Sequence, residues 1–251
     1  MIIWLTCTYG RYKCLQRNLR CYLDQDFTGP SVMFICNSGE PLKLPDGFQL
    51  PPGKEVYIDN CKLMNFTSVG EKYKHALSLA LRLYPDAKIV TSADDDDIFL
   101  PNHLTEGYKG YTQAVEQNRQ AYKPKFSYFR YRDSLGYVKH KLQQNVFEPS
   151  IFVSVISLLR YGYAPVSIRY HQQWLDPLVE ADKIWVAPHG TPTLIYNWGD
   201  NWDIYKLSGA GQDTSENFVA HASVSTDMGN GILVPNVTNE GYYKLNGLIN
   251  D

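Results

Sequence analysis

No pair of cysteines in this 251-residue chain follows a CxxC spacing. The five that occur, Cys7, Cys14, Cys21, Cys36 and Cys61, are an odd number, which argues for reduced thiols and against a disulfide framework or a zinc site. No apolar stretch reaches the length of a membrane span, and the N-terminus lacks a charged start followed by an apolar signal core. The expectation is a cytoplasmic protein without a membrane partner. The Asn65-Phe-Thr67 and Asn236-Val-Thr238 tripeptides fit a glycosylation acceptor pattern but carry little meaning without a secretory route. Excess charge is also lacking: the formal net charge is -2, so binding to nucleic acid or to an anionic surface must come from a local patch. There is no internal repeat and no low-complexity tract.

What is present suits one large domain, or one domain with a small appendage, and 44% hydrophobic residues supply a sizeable core. The run from Ile2 to Thr6 reads as a short buried strand. Tyr12, Leu15, Leu19, Tyr22 and Leu23 fall at helical spacing within residues 11–23. A second strand is expected over 32–36, a Pro- and Gly-rich loop over 40–53, and a third strand over 55–58. After Gly70, a helix over 71–83 sets Tyr73, Ala76, Leu77 and Ala80 on one face. An apolar strand over 88–93 follows, then a helix near 103–117. Residues 126–131 and 135–140 suggest a hairpin around Asp133 and Ser134. A helix over 170–181 buries Trp174, Leu175 and Leu178, and a late strand covers 193–197. Strand–helix alternation of this kind predicts an α/β sheet with right-handed crossovers.

The 88–93 strand ends in four consecutive aspartates, Asp94 to Asp97, before Ile98-Phe-Leu-Pro101. Asp is depleted from strand interiors and Pro cannot continue a ladder, so the run marks an abrupt turn. Four adjacent carboxylates repel, and burying them unpaired is expensive. A hard divalent cation such as Mg²⁺ or Mn²⁺ prefers such oxygen ligands; a solvated acidic loop is the plainer reading. In α/β sheets ligands bind beyond the carboxyl ends of the strands, where Thr8-Tyr9, Asn37-Ser38 and the aspartates all fall.

These residues carry a resemblance. Ile3-Trp-Leu-Thr-Cys-Thr-Tyr-Gly-Arg11 resembles the opening strand and turn of family 2 nucleotide-sugar glycosyltransferases. Asp94-Asp-Asp-Asp-Ile-Phe-Leu-Pro101 resembles their Asp-x-Asp-Asp-x-x-x-Pro metal motif, and residues 70–80 resemble the helix before it. The likeness covers roughly the first 105 residues well. It implies a single Rossmann-like glycosyltransferase A domain with a mixed, mostly parallel central sheet. The donor half would span 1–105, the acceptor half 106–226 and a tail 227–251. It further implies that Thr8, Tyr9 and Arg11 border the nucleotide, that Asn37 stands where relatives often place an aspartate, and that Lys72 and Lys74 approach the donor. Asp94 would face ribose or metal, Asp96 would be the main ligand of Mn²⁺ or Mg²⁺, and Asp97 would lie further back or face the acceptor.

A leaving diphosphate develops negative charge that a cation stabilises, and an inverting transfer needs a base for the acceptor hydroxyl. In the segment from Tyr170 to Asp176, glutamine stands where relatives carry an early acidic residue, so Asp176 is the candidate base and Glu148 the reserve. Residues 193–199 and 205–209 resemble a closing segment of phage-encoded members, which would place the protein in the host cytoplasm. There a metal-binding histidine is expected, but this chain has Lys206, which suits neutralising the donor diphosphate, with His221 as the candidate substitute ligand.

Arg130, Arg132, Lys139 and Lys141 lie in a basic stretch interleaved with aromatics. It reads either as a phosphate-contacting ribbon on DNA or as a half-buried hairpin with a solvated basic face. The phage-like segment favours a DNA acceptor, a hydroxymethylated pyrimidine whose base is extruded. A polysaccharide or protein acceptor stays open, as does a non-enzymatic DNA- or sugar-binding module. An EF-hand is excluded because Ile98 stands at the third ligand position. An aspartate-nucleophile phosphatase fits less well, since its nucleophile would follow the first strand.

Overall fold

The computed structural model describes residues 1–132, 138–145, 148–167 and 169–197. Lys206, His221, the 227–251 tail and the Asp133-Ser134 turn lie outside the described residues.

The chain opens with β1 (Ile2–Thr8), all seven residues buried. Both faces are covered, so the apolar run is continuous and alternate residues divide between two cores. Trp4 faces one core, with its ring edge-on to Tyr22, Phe99 and His103 at centroid distances of 5.6, 4.7 and 5.5 Å. Ile3 and Leu5 face the other, with Val32, Phe34, Tyr73 and Ala76. Each such large apolar side chain contributes roughly 1.5–3 kcal/mol of burial.

Helix α1 (Tyr12–Leu23) returns the chain to β2 (Ser31–Asn37), which pairs parallel with β1, and β3 (Lys54–Asn60) pairs parallel with β2. Helix α2 (Val69–Leu83) starts at Ser68, whose Oγ accepts from the Glu71 amide at 3.2 Å, while the Glu71 carboxylate accepts from the Thr67 amide at 2.8 Å. The first bond satisfies one of the amides that a helix start leaves unpaired, and the second ties down the residue before the cap. The chain then crosses to the other side of β1 as β4 (Ile89–Ser92), again parallel. Strand order therefore reverses between β1 and β4, the switch point at which open α/β sheets bind ligands.

Beyond the aspartates come β5 (Ile98–Phe99), α3 (His103–Glu116), β6 (Ala121–Pro124), β7 (Phe126–Arg132) and β8 (Val138–Gln144). They are followed by β9 (Phe152–Ser154), α4 (Val155–Tyr161), α5 (Gln172–Glu180), β10 (Ile184–Ala187) and β11 (Leu194–Asn197). The main sheet has seven strands in the order β10-β6-β9-β4-β1-β2-β3, and only β9 runs antiparallel to its neighbours. A four-stranded sheet, β5-β11-β7-β8, adjoins it in sequence, with β7 and β8 antiparallel as the hairpin reading expects. Strands β5, β6, β9 and β10 have no counterpart in the sequence reading: they are two to four residues long, too short to display a period. Among the described residues, no helix is long and apolar enough to cross a membrane.

Candidate active site at the carboxyl ends of the strands

The four aspartates form a tight turn after β4, with the Asp97 amide 3.3 Å from the Asp94 carbonyl. Helix α1 holds this turn from below. Asn18 donates from Nδ2 to the Asp94 carbonyl at 2.9 Å, and Arg17 donates from its guanidinium to the Asp96 carbonyl. Asn18 is itself oriented by Trp4 Nε1, which donates to its Oδ1 at 3.0 Å. Arg17 and Asn18 are absent from the sequence reading. The signal for them is the run Gln16-Arg17-Asn18, three polar residues buried within a core-facing helix.

The carboxylates divide by environment. Asp95, Asp96 and Asp97 are buried, whereas Asp94 is half-buried. Arg11, at the start of α1, donates from Nε to Asp95 Oδ2 and from Nη1 to Asp96 Oδ2, both at 3.1 Å. Asp94 Oδ1 instead accepts from the Tyr73 hydroxyl at 2.9 Å and from the Tyr170 hydroxyl at 3.4 Å. The two tyrosine rings stack at 4.8 Å with a 16° interplanar angle, so α2 and the segment before α5 present their hydroxyls to one oxygen.

Burial and the neighbouring Asp96 push the Asp94 carboxyl up to about 6, with the Tyr73 hydroxyl and Arg11 opposing. Burial likewise raises Asp95 against the pull of Arg11. Burial alone would lower Arg11, but Asp95, Asp96 and Asp94 outweigh it and hold the guanidinium charged. The turn thus carries more negative charge than the adjacent guanidiniums neutralise, and it offers only hard oxygen donors. In charge and donor type it fits a divalent cation such as Mg²⁺ or Mn²⁺. Among the described residues the aspartates do not bring three ligand atoms within 4.8 Å of one another. An ion here would therefore draw further ligands from a bound diphosphate and water, as Mg²⁺ commonly does.

A cavity of about 690 Å³ lies at the carboxyl ends of β1, β2 and β3, lined by Tyr9, Gly10, Ser38, Gly39, Lys62 and Lys72, among others. Its lining residues Gly10 and Lys72 are followed directly in the chain by Arg11 and Tyr73, which bind the aspartate turn. Lys72 Nζ stands 5.2 Å from the centroid of the Tyr9 ring. Tyr9 is 69% exposed, an unusual position for a large aromatic and one suited to stacking against a planar ligand. Thr8 is buried, its carbonyl accepting from the Ser38 amide at 3.2 Å.

Three sequence expectations change. Asn37 is fully buried; its Nδ2 donates to the Glu40 carbonyl (2.6 Å) and to Asn60 Oδ1 (3.0 Å), and its Oδ1 accepts from the Gly39 amide (3.0 Å). It shapes the loop that carries Ser38 and Gly39 and does not face the cavity. Lys74 lies two residues after Lys72, about 200° around the helix, and lines a separate groove with Leu77, Leu158 and Tyr163. Asp176 is exposed in mid-α5, and no described hydrogen bond or ion pair joins it to the aspartate turn. Glu148 is the acid brought to the site. Its Oε1 lies 2.5 Å from Nε2 of His171, the neighbour of Tyr170, and its charge acts on Asp94. His171, like Arg17 and Asn18, has no role in the sequence reading.

In the β7–β8 ladder, Arg130 and Arg132 pair with His140 and Val138, whereas Lys139 and Lys141 pair with Tyr131 and Phe129. Directly paired residues share a face, so the four basic positions alternate between two faces instead of forming one stripe. Their side chains lie outside the described set.

No protein-family model matches the sequence, and no curated protein matches it. Solved structures do match. The S. aureus TarS 1–349 structure aligns with a TM-score of 0.54 at 13% identity, covering 78% of this chain and 60% of that one. The same protein in complex with UDP-GlcNAc aligns at 0.56 and 12%, covering 82% and 61%. This chain thus spans about three fifths of the length of those TarS structures. The fold is a mixed α/β architecture of the glycosyltransferase A type, with a seven-stranded, mostly parallel sheet.

Proposed function

We propose that this chain is a nucleotide-sugar glycosyltransferase whose donor occupies the cavity between Tyr9 and Lys72, with its diphosphate toward Asp94. The observation that carries the reading is convergence: a 690 Å³ cavity with an exposed aromatic and a lysine opens at the carboxyl ends of the strands, and Arg11 and Tyr73, the direct chain neighbours of its lining residues Gly10 and Lys72, bind the carboxylate turn. The match to TarS solved with UDP-GlcNAc and with UDP supports a uridine nucleotide as the first donor to test.

Tyr9 would stack on the base, and Lys72 would pair with phosphate. Asp94 and Asp96 would hold Mn²⁺ or Mg²⁺. When bound, the ion supplies positive charge against the charge that develops on the leaving diphosphate. The Glu148–His171 pair takes the proton of the acceptor hydroxyl, replacing Asp176 in the role of base. As that O–H bond breaks, the acceptor oxygen bonds to the anomeric carbon, whose bond to the diphosphate oxygen breaks. Nucleoside diphosphate leaves. For the acceptor we propose a hydroxymethylated pyrimidine of DNA. Its support is the basic, aromatic-interleaved sequence of β7 and β8. The register leaves two basic positions for either face.

The test is nucleoside diphosphate release from a panel of nucleotide sugars with Mn²⁺, with hydroxymethylated DNA, polysaccharide or protein as acceptor. Glu148→Gln should lower kcat by about 10²–10⁴-fold while UDP binding holds. No release from any donor together with no nucleotide binding would sink the proposal. Release stimulated by polysaccharide or protein alone would replace the DNA acceptor.

A further inference from the structure

We propose that Cys36, Asp59 and Cys61 form a metal site for a thiophilic divalent cation such as Zn²⁺, separate from the aspartate turn and independent of the glycosyl-transfer reading. The sequence spacing hides this site because its ligands come from different strands. Cys36 is the penultimate residue of β2, and Asp59, its register partner, is the penultimate residue of β3. Cys61 follows β3, and its amide donates to the Asn37 carbonyl at 2.8 Å, which turns it back beside Cys36. The two Sγ atoms lie 3.3 Å apart, and one ligand atom from each of the three residues lies within 4.8 Å of the others. Among the described residues it is the one such group of three.

Two sulfurs and an oxygen are the donor set of a borderline-soft ion, unlike the all-oxygen aspartate turn. In a tetrahedral site with Zn–S near 2.3 Å, the sulfurs stand ~3.8 Å apart, so binding asks them to part by only about 0.5 Å. Cys36 is fully buried and Cys61 nearly so, while the Asp59 side chain is 18% exposed, which leaves solvent access for a fourth ligand. His75 Nε2 lies 2.7 Å from Asp59 Oδ2, the outer-shell contact that orients a ligating carboxylate. Metal capture is balanced by proton loss. Two S–H bonds break, two metal–sulfur bonds form, and both protons pass to solvent with no change of oxidation state.

The site would fasten the ends of β2 and β3 to residues 62–66, of which Lys62, Asn65 and Phe66 line the large cavity. Phe66 packs on His75, with ring centroids 5.4 Å apart.

The test is a Co²⁺ titration of the reduced full chain. The expected result is a near-ultraviolet thiolate-to-cobalt band with tetrahedral visible bands, saturating at about one ion per chain with release of about two protons, and displaced by Zn²⁺. Cys36→Ser and Cys61→Ser should each abolish the band, and His75→Ala should weaken binding by about 10–100-fold. Should the cysteine variants fail to fold, alkylation of the wild type in mild denaturant reads the same point: Zn²⁺ should protect Cys36 and Cys61 and spare Cys14 and Cys21 from protection. No charge-transfer band in the wild type, a band that survives Cys36→Ser, uniform protection of all cysteines, or a Cys36–Cys61 disulfide without metal uptake would each overturn the proposal.

Discussion

Replacing Arg11 with methionine tests the electrostatics of the aspartate turn directly. Arg11 bridges Asp95 and Asp96, whose side chains are 0% and 3% exposed, while its own is 22% exposed. Removing one partner of a buried pair costs about 3–5 kcal/mol. Partial exposure of the guanidinium argues for the lower end, about 3 kcal/mol, because solvent screens part of the pair. Each kcal/mol moves Tm by about 2–4 °C in a chain of this size, so Arg11→Met should melt ~6–12 °C lower at pH 8. The pH dependence carries the sharper information. Asp94 and Asp95 titrate above the ordinary carboxylate range in the folded state. Groups raised in this way contribute stability below their unfolded value near 4, and that contribution is lost as pH rises through the folded values, about 6 for Asp94. Loss of Arg11 raises both further and deepens the decline. The gap between variant and wild type should therefore be small at pH 5 and widen toward pH 8 in thermal melts followed by circular dichroism. Adding Asp95→Asn to Arg11→Met should recover part of the loss at pH 8. A gap that stays constant with pH, or a variant as stable as wild type at pH 8, would refute the account.

Two further outcomes follow from close contacts and from helix geometry. A Cβ on Gly70 would sit 1.7 Å from the Ala164 carbonyl oxygen and 2.9 Å from Tyr170 Cβ, so Gly70→Ala should cost about 1–3 kcal/mol in urea unfolding. It should also shift Tyr170 away from Asp94; unchanged stability would show that the 164–170 segment yields freely. Lys72→Ala should weaken UDP binding about tenfold in calorimetry, the loss of one charge-assisted contact of about 1.5 kcal/mol. Lys74→Ala should leave it unaltered, and equal effects from both would contradict their separation around α2.

The first four strands and the aspartate turn were legible because their signals are local. The apolar run of β1, the spacing of Leu15, Leu19 and Tyr22 in α1, and the four aspartates each lie within one element. The rest was hidden by long-range pairing. His171 becomes a candidate only when Glu148, on the far side of α4, is seen beside it, and Cys36, Asp59 and Cys61 converge only through the β2–β3 register. Asn37 illustrates the opposite error. Its position at a strand end is right for ligand contact, but the need to pair its buried amide turns it inward. Lys74 was assigned with Lys72 by the resemblance, and helical geometry sends it to a separate groove. His103 shows how burial settles a histidine's role. Wedged among Trp4, Phe99 and Phe152, its ring is pushed down to about 3 and stays neutral, with Nδ1 2.8 Å from the Thr193 hydroxyl.

The insertion of β9 against β4 also sets a schedule for biosynthesis. Strands β1 to β4 leave the ribosome as a parallel set whose pairing needs only what has already been made. The far edge of β4, however, waits for β9, and Asp94 waits for Tyr170. Until then the nascent chain carries an open, hydrophobic strand edge next to its most acidic turn. The open edge invites mispairing and calls for chaperone cover, while the dense negative charge beside it repels a second copy.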